Sequence, residues 1–249
     1  MHLLELIPRD LEQLRLDART FMTQFSLING INIPDIKQLD IRSVTVAVSL
    51  LSDGIFVVPH IRARDHSIQG HFHLIQPLVD LGLQAILIIE GDSGVDVNSC
   101  GGVSSVSLIK SIKQQFSHLN VYGALDPYRS SFDLECQYCQ EKLDVGADGF
   151  FTQPFFDSDQ AKRYLDYFCD TIIFLGLSPV LTEKSQQYWE RVNKVVFPKE
   201  FELTLDYNVM LNQQLIKLVD LYKQHIYMMP IKMDVALYLG KVYGQSVIA

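Results

Sequence analysis

The chain has 249 residues, of which 48% are hydrophobic, 10% aromatic and 20% charged. This composition excludes an intrinsically disordered protein, because disorder requires few aromatic residues and a high density of charge. Acidic residues outnumber basic residues, 29 to 21, and the net charge of −8 argues against a protein that binds nucleic acid in general.

Short apolar runs alternate with amphipathic stretches along the chain. The runs lie at residues 2–7, 25–31, 55–61, 85–92, 120–125, 149–154, 171–180 and 225–231. Nearly continuous apolar character is typical of parallel strands that are buried on both faces. Between the runs, apolar residues recur three and four positions apart, which predicts helices over 66–81, 103–116, 131–143, 157–168 and 208–224. A ninth strand-like run, FELTLD at 201–206, is assigned to the connection before the last strand.

Eight strand and helix units in a chain of this length predict an α/β fold, a single-domain (β/α)8 TIM barrel over residues 1–249. A doubly wound open sheet is the alternative. No GxGxxG motif follows a strand, so the sequence does not predict a Rossmann dinucleotide site. No stretch approaches the roughly 18 apolar residues of a membrane span, and the N-terminus does not read as a signal peptide. We therefore expect a cytoplasmic protein without membrane contact.

Four cysteines, at positions 100, 136, 139 and 169, are too few for a disulfide scaffold and fit a reducing compartment. Cys136 and Cys139 form a CxxC pair inside a predicted helix. No second pair supplies the remaining ligands of a zinc site, so we expect structural or free thiols and no bound metal.

Functional side chains of a TIM barrel lie where its strands end. The polar residues predicted there are Glu5, Asn29, His60, Asp92, Asp126, Gln153 and Tyr227. Glu5 leaves a hydrophobic strand, and desolvation raises a carboxyl pKa, which suits a general acid. The alternative for Glu5 is a structural carboxylate paired with Arg9 or another cation.

The other candidates also have a structural alternative. His60 is either a functional group or a satisfied histidine of the core or rim. Asp92 follows a glycine and either binds a ligand or caps the next helix. Gln153 lies among the aromatics of FFTQPFFD and either contacts a ring system or is satisfied by backbone.

These segments, in this order, resemble the methylenetetrahydrofolate reductase family. Residues 5–9, ELIPR, are similar to the family's E-F-F-P-P-(K/R), and residues 58–61, VPHI, to its A-P-H-L. Residues 89–92, IEGD, are similar to its L-R-G-D. The most specific match is KLDVGADGFFTQPFFD at 142–157, close to K-V-D-A-G-A-(D/N)-x-x-x-T-Q-x-F-F-D. Residues 177–180, LSPV, also resemble the family's G-I-x-P-I.

The resemblance implies a flavoprotein oxidoreductase of one-carbon metabolism and methionine biosynthesis. In this family a hydride passes from NAD(P)H to FAD and then to 5,10-methylenetetrahydrofolate, giving 5-methyltetrahydrofolate. The tetrahydrofolate derivative is then the small-molecule substrate. A homo-oligomer or a complex with a partner protein stays open.

The resemblance also implies roles for single residues. Glu5 matches the acid that promotes opening of the folate ring to an iminium. Asp92 matches the carboxylate that binds the pterin and influences the flavin, and Gln153 the amide that contacts folate and nicotinamide in turn. The residues at flavin-contacting positions are His60, Gly91, Asp92, Glu135, Lys142 and Tyr227.

The sequence departs from the family pattern at several of these positions. Glu90 and Glu141 replace arginines, the family's V-T-Y-G is Leu27-Ile28-Asn29-Gly30, and the segment after the fifth strand is the shortened Leu125-Asp126-Pro127-Tyr128. Acids repel a diphosphate unless cations compensate, and the candidates are Arg62, Arg64 and Arg129. The alternative function is therefore a folate-binding or partner-binding homologue without flavin and without reductase activity. A third is a related enzyme acting on a different one-carbon carrier.

Overall fold

The computed structural model of the chain describes residues 1–91 and 102–245. Eight parallel strands close into a barrel in chain order, each paired with its neighbours in sequence and β1 paired with β8. The strands are β1 His2–Glu5, β2 Ile28–Ile33, β3 Val57–Arg62, β4 Ala85–Ile89, β5 Asn120–Leu125, β6 Gly149–Pro154, β7 Ile172–Leu177 and β8 His225–Met228. The predicted (β/α)8 barrel is confirmed.

Helices surround the strands. They are α1 Leu11–Gln24, α2 Ser43–Ser52, α3 Ile68–Asp80, α4 Ser105–Gln115, α5 Phe132–Asp144, α6 Ser158–Tyr167, α7 Glu183–Val192, α8 Leu205–Leu221 and α9 Val235–Tyr243. Side chains of Asp10, Ser104 and Asp157 cap the first turns of α1, α4 and α6. No helix within residues 1–91 and 102–245 is long and apolar enough to cross a membrane.

The core has two layers on either side of the strand ring. Alternate residues of each strand face inward, and aromatic rings fill the barrel interior. Phe151 and Phe174 stack with their ring centroids 4.2 Å apart, and Tyr122 and Tyr227 contact Phe151 edge-on. The other strand residues pack against the helices in a larger apolar layer. Side chains thus fill the barrel interior. The face that can take a ligand is therefore the one where the strands end.

One local prediction changes in the structure, and another is confirmed. The second strand continues to Ile33, beyond the predicted end at residue 31, so Asn29 lies in its first half and accepts a hydrogen bond from the His2 backbone N–H. The prediction that Asn29 marks a strand end is therefore wrong. The run at 201–206 lies in the connection before the last strand, as expected: residues 201–204 are irregular, and α8 begins at Leu205 after the cap Thr204.

The CxxC pair lies on α5, where both thiols are buried. Burial raises the pKa of Cys136 to about 11 and that of Cys139 to about 12. A thiol held protonated is a poor nucleophile and a poor metal ligand, which fits the structural interpretation. Among the described residues no cluster of three His, Cys, Asp or Glu side chains could hold a metal ion.

Candidate active site at the barrel mouth

Inward-facing polar residues form a layer above the aromatic filling of the barrel. Glu5, His60 and Gln153 each lie two residues beyond an interior apolar residue, namely Leu3, Val58 and Phe151. Because side chains alternate along a strand, all three face inward at the carboxyl ends of β1, β3 and β6. We define this layer, with Asn32 and Tyr227, as the mouth.

Glu5 and Tyr227 are in direct contact, although they are 222 positions apart in the chain. The Tyr227 hydroxyl donates a hydrogen bond to Glu5 Oε2. Burial raises the pKa of Glu5 to about 7, against the opposing effect of that hydrogen bond. Within the described residues Glu5 forms no ion pair, and Arg9 is exposed. The carboxyl group is therefore not a member of an ion pair among the described residues, and burial brings its pKa close to neutral pH.

Asn32 is the mouth residue that the sequence analysis missed. It is fully buried near the end of β2 and lies beside Glu5 in the β1–β2 register. Its Oδ1 is 2.6 Å from His60 Nε2, while its Nδ2 has no partner. The signal in the sequence was the continuation INI after Gly30, which extends the strand by two residues and turns Asn32 inward.

The His60 ring is neutral and orients Asn32. Burial lowers the pKa of His60 to about 4, so at neutral pH Nε2 donates its hydrogen to Asn32 Oδ1. This hydrogen bond engages the Asn32 Oδ1 and leaves the Asn32 Nδ2 pointing away from the His60 ring. A buried donor without a partner is costly, so a ligand acceptor that reached Nδ2 would gain a favourable contact.

We expect the Asn32→Asp variant to raise the pKa of His60 above its wild-type value of about 4. A carboxylate in contact with Nε2 stabilises the charged imidazolium, and this electrostatic effect opposes burial. NMR titration of the ring protons measures the change. The Asn32→Ala variant is the control, because it removes the hydrogen bond without adding charge. Identical His60 titrations in the two variants would show that the contact between residues 32 and 60 is absent.

Gln153 lies at the end of β6 and is partly exposed. Within residues 1–91 and 102–245 its side-chain amide has no hydrogen-bond partner. The backbone-satisfied alternative therefore does not describe it. Its donor and its acceptor are both available to a ligand, and the role that the resemblance implies for it stays a prediction.

Two other predicted residues follow β4. Gly91 has a φ of +85°, in the left-handed region that favours glycine, and it packs beside the Arg62 side chain. Asp92 lies outside the described residues. Asp126, which follows β5, accepts a hydrogen bond from the Tyr128 backbone N–H and so stabilises a local turn.

Glu135 and Lys142 lie on α5, behind the strand ends rather than in the mouth. Glu135 is 0% exposed and forms an ion pair with Arg129, with Nη2 2.6 Å from Oε2. Lys142 is 2% exposed, donates to the Ala124 carbonyl and lies over the Tyr138 ring, 4.2 Å from its centroid. Protein groups already satisfy both side chains. Their implied contacts with a flavin stay predictions.

A comparison with known families identifies the family of this chain. The model described as methylenetetrahydrofolate reductase matches residues 36–225 of this chain. This chain belongs to the methylenetetrahydrofolate reductase family. Membership of that family indicates a folate-related oxidoreductase. Glu5, Asn32 and Tyr227 lie outside the matched segment, so their roles depend on the geometry of the mouth.

Solved structures outside the methylenetetrahydrofolate reductase family share the barrel. A 2,3-dimethylmalate lyase of the PEP mutase/isocitrate lyase superfamily has a TM-score of 0.60 and 10% identity, covering 93% of this chain and 75% of that chain. An oxaloacetate acetylhydrolase has a TM-score of 0.60 and 11% identity, covering 92% and 75%. At such identities the likeness concerns the fold alone.

Proposed function

We propose that this chain reduces 5,10-methylenetetrahydrofolate to 5-methyltetrahydrofolate, with NAD(P)H as the source of the hydride and FAD as the cofactor. The observation that supports the proposal most is the Glu5 carboxyl group in the mouth, with its pKa raised to about 7 by burial. A general acid is most effective when its pKa lies near the working pH.

Glu5 would hold the catalytic proton. The Tyr227 hydroxyl already donates to Oε2, so the proton of the neutral acid resides on Oε1. From there it would pass to the ring nitrogen that leaves the methylene carbon, so that the folate ring opens to an iminium. The carboxylate that remains is stabilised by the same Tyr227 hydrogen bond.

Asn32 and Gln153 would bind and orient the ring systems. The unpartnered Asn32 Nδ2 is a donor fixed in direction by His60, and the Gln153 amide offers a donor and an acceptor. A pterin and an isoalloxazine ring both present carbonyl and ring-nitrogen acceptors, so the polar groups of the mouth fit either ring. Bound FAD would supply the hydride relay between nicotinamide and folate.

Turnover tests this proposal. The purified protein, supplied with FAD, is mixed with 5,10-methylenetetrahydrofolate and either NADH or NADPH, and 5-methyltetrahydrofolate is measured by chromatography. We expect product with at least one of the two nicotinamides. The control omits the folate. Tight folate binding without product from either nicotinamide would contradict the proposal and favour the folate-binding alternative.

A further inference from the structure

A carboxylate of the protein occupies the N-terminus of α4. Glu90 follows β4, and its Oε2 accepts a hydrogen bond of 2.9 Å from the Ser105 backbone N–H, the first residue of the helix. Arg64 forms an ion pair with Oε1 at 3.1 Å, and the Tyr138 hydroxyl donates to Oε2. A helix N-terminus beside an arginine is the kind of site that binds a phosphate group. Here Glu90 takes the place of the anion.

A second carboxylate, that of Glu135, takes the place of an anion in the segment after β5. Glu135 accepts hydrogen bonds from the Arg129 guanidinium and, at 2.9 Å, from the Asp126 backbone N–H. Arg129 also lies over the Tyr138 ring, 4.5 Å from its centroid. The backbone donor and the cation that a phosphate oxygen would need in this loop are therefore bound to Glu135.

The neighbouring cation is paired as well. Arg62, at the end of β3, forms an ion pair with Asp65 at 3.1 Å. Residues 92–101, which lie outside the described residues, contain two aspartates but neither lysine nor arginine in the sequence. The described parts of the segments after β3, β4 and β5 contain or adjoin the flavin positions His60, Gly91 and Glu135 that the resemblance implies. The arginines that these described segments offer a diphosphate already have carboxylate partners.

We infer that this chain binds a flavin through the isoalloxazine ring and gains almost no binding free energy from the diphosphate. Riboflavin should therefore bind about as tightly as FAD. The inference rests on the proposed function, because it concerns the flavin of that same mouth. For the ring, the mouth offers the neutral amides of Asn32 and Gln153, whereas the anion-binding positions at the start of α4 and after β5 are already filled by Glu90 and Glu135. Displacing Glu135, which is fully buried, would leave a buried carboxylate without its partner, and displacing the partly exposed Glu90 would break its ion pair with Arg64, so a cost offsets the new contact in either place.

Dissociation constants for riboflavin, FMN and FAD test the inference, measured by quenching of flavin fluorescence at low and high salt. For the wild type we expect the three constants to agree within about threefold, with little dependence on salt. Glu90→Gln keeps an acceptor for the Ser105 N–H and releases the Arg64 charge. We expect this variant to bind FAD about tenfold tighter than the wild type while its riboflavin constant is unchanged.

Glu190→Gln is the matched control. It changes the net charge by the same amount, but Glu190 is exposed in the last turn of α7 and has no hydrogen bond or ion pair within the described residues. We expect its flavin constants to equal those of the wild type. Wild-type FAD binding tenfold or more tighter than riboflavin binding would overturn the inference and leave the proposed function standing. If no flavin binds to the wild type or to Glu90→Gln, the inference fails together with the cofactor of the proposed function.

Discussion

We expect the Glu5→Gln variant to convert 5,10-methylenetetrahydrofolate at least about 10²-fold more slowly than the wild type, because general acid catalysis contributes about 10²- to 10⁴-fold. Glutamine has nearly the shape of glutamic acid and still accepts the Tyr227 hydrogen bond. It has no acidic proton to transfer. Single-turnover measurements with the reduced enzyme isolate this step. Oxidation of NAD(P)H by an artificial acceptor should survive, since it needs no proton at the folate.

The pH dependence of the wild type follows from the same group. The pKa of Glu5 is raised by burial from 4.5 to about 7, and the acid acts only while it is protonated. The folate step should therefore slow as the pH rises through about 7. Folding favours the neutral form of the Glu5 carboxyl group, so this group stabilises the folded protein below about pH 4.5. That stabilisation is lost as the pH rises to about 7. Glu5→Gln should lack both trends.

The control for Glu5→Gln is Glu190→Gln, which removes an exposed carboxylate in the last turn of α7 and should leave the rate unchanged. A folded Glu5→Gln protein with an unimpaired folate step would refute the assignment of Glu5 as the acid. A large loss of stability with an unchanged rate per folded molecule would instead show a structural carboxylate.

We expect Gly149→Ala to destabilise the barrel by about 3 kcal/mol, because forcing an atom into a packed site costs about 1–3 kcal/mol and sometimes more. A Cβ at Gly149 would lie only 2.2 Å from the Ile172 carbonyl oxygen, which is backbone of the neighbouring strand and has little freedom to move. Gly149 also has a φ of +156°, which other residues rarely adopt. Urea unfolding followed by circular dichroism measures the loss.

Gly82→Ala separates steric contact from backbone strain. Gly82 has a φ of +90°, and a Cβ there would meet nothing within 4 Å. Only the cost of the left-handed conformation remains, about 1–2 kcal/mol. Equal losses in the two variants would show that the close approach of β6 to β7 at Gly149 is not the cause.

The barrel could be predicted from the sequence because each strand is buried on both faces and reads as an apolar run. The same rule placed the end of β2 too early. Asn32 is buried as well, but its burial depends on the hydrogen bond with His60, a residue 28 positions away. A polar residue satisfied by a distant partner interrupts the apolar pattern without interrupting the strand.

The charged residues near the strand ends show a second limit of prediction from the sequence. Glu90 could be recognised from the sequence as an acid in place of an arginine, but its contacts with Arg64 and with the first turn of α4 depend on tertiary structure. Similarly, Glu141 and Glu135 are both acids of α5, yet one is exposed and the other is fully buried. Sequence spacing alone does not distinguish a solvated carboxylate from one that holds a cation in place.

The contact between Glu5 and Tyr227 joins the first and the last strand of the barrel. During synthesis on the ribosome, a chain that has emerged only as far as β7 has not yet formed this contact. Its Glu5 faces water, and its pKa stays near the ordinary value of a glutamate. The burial that raises the pKa of Glu5 therefore requires the closed ring, so the role that we propose for Glu5 depends on the last strand being in place.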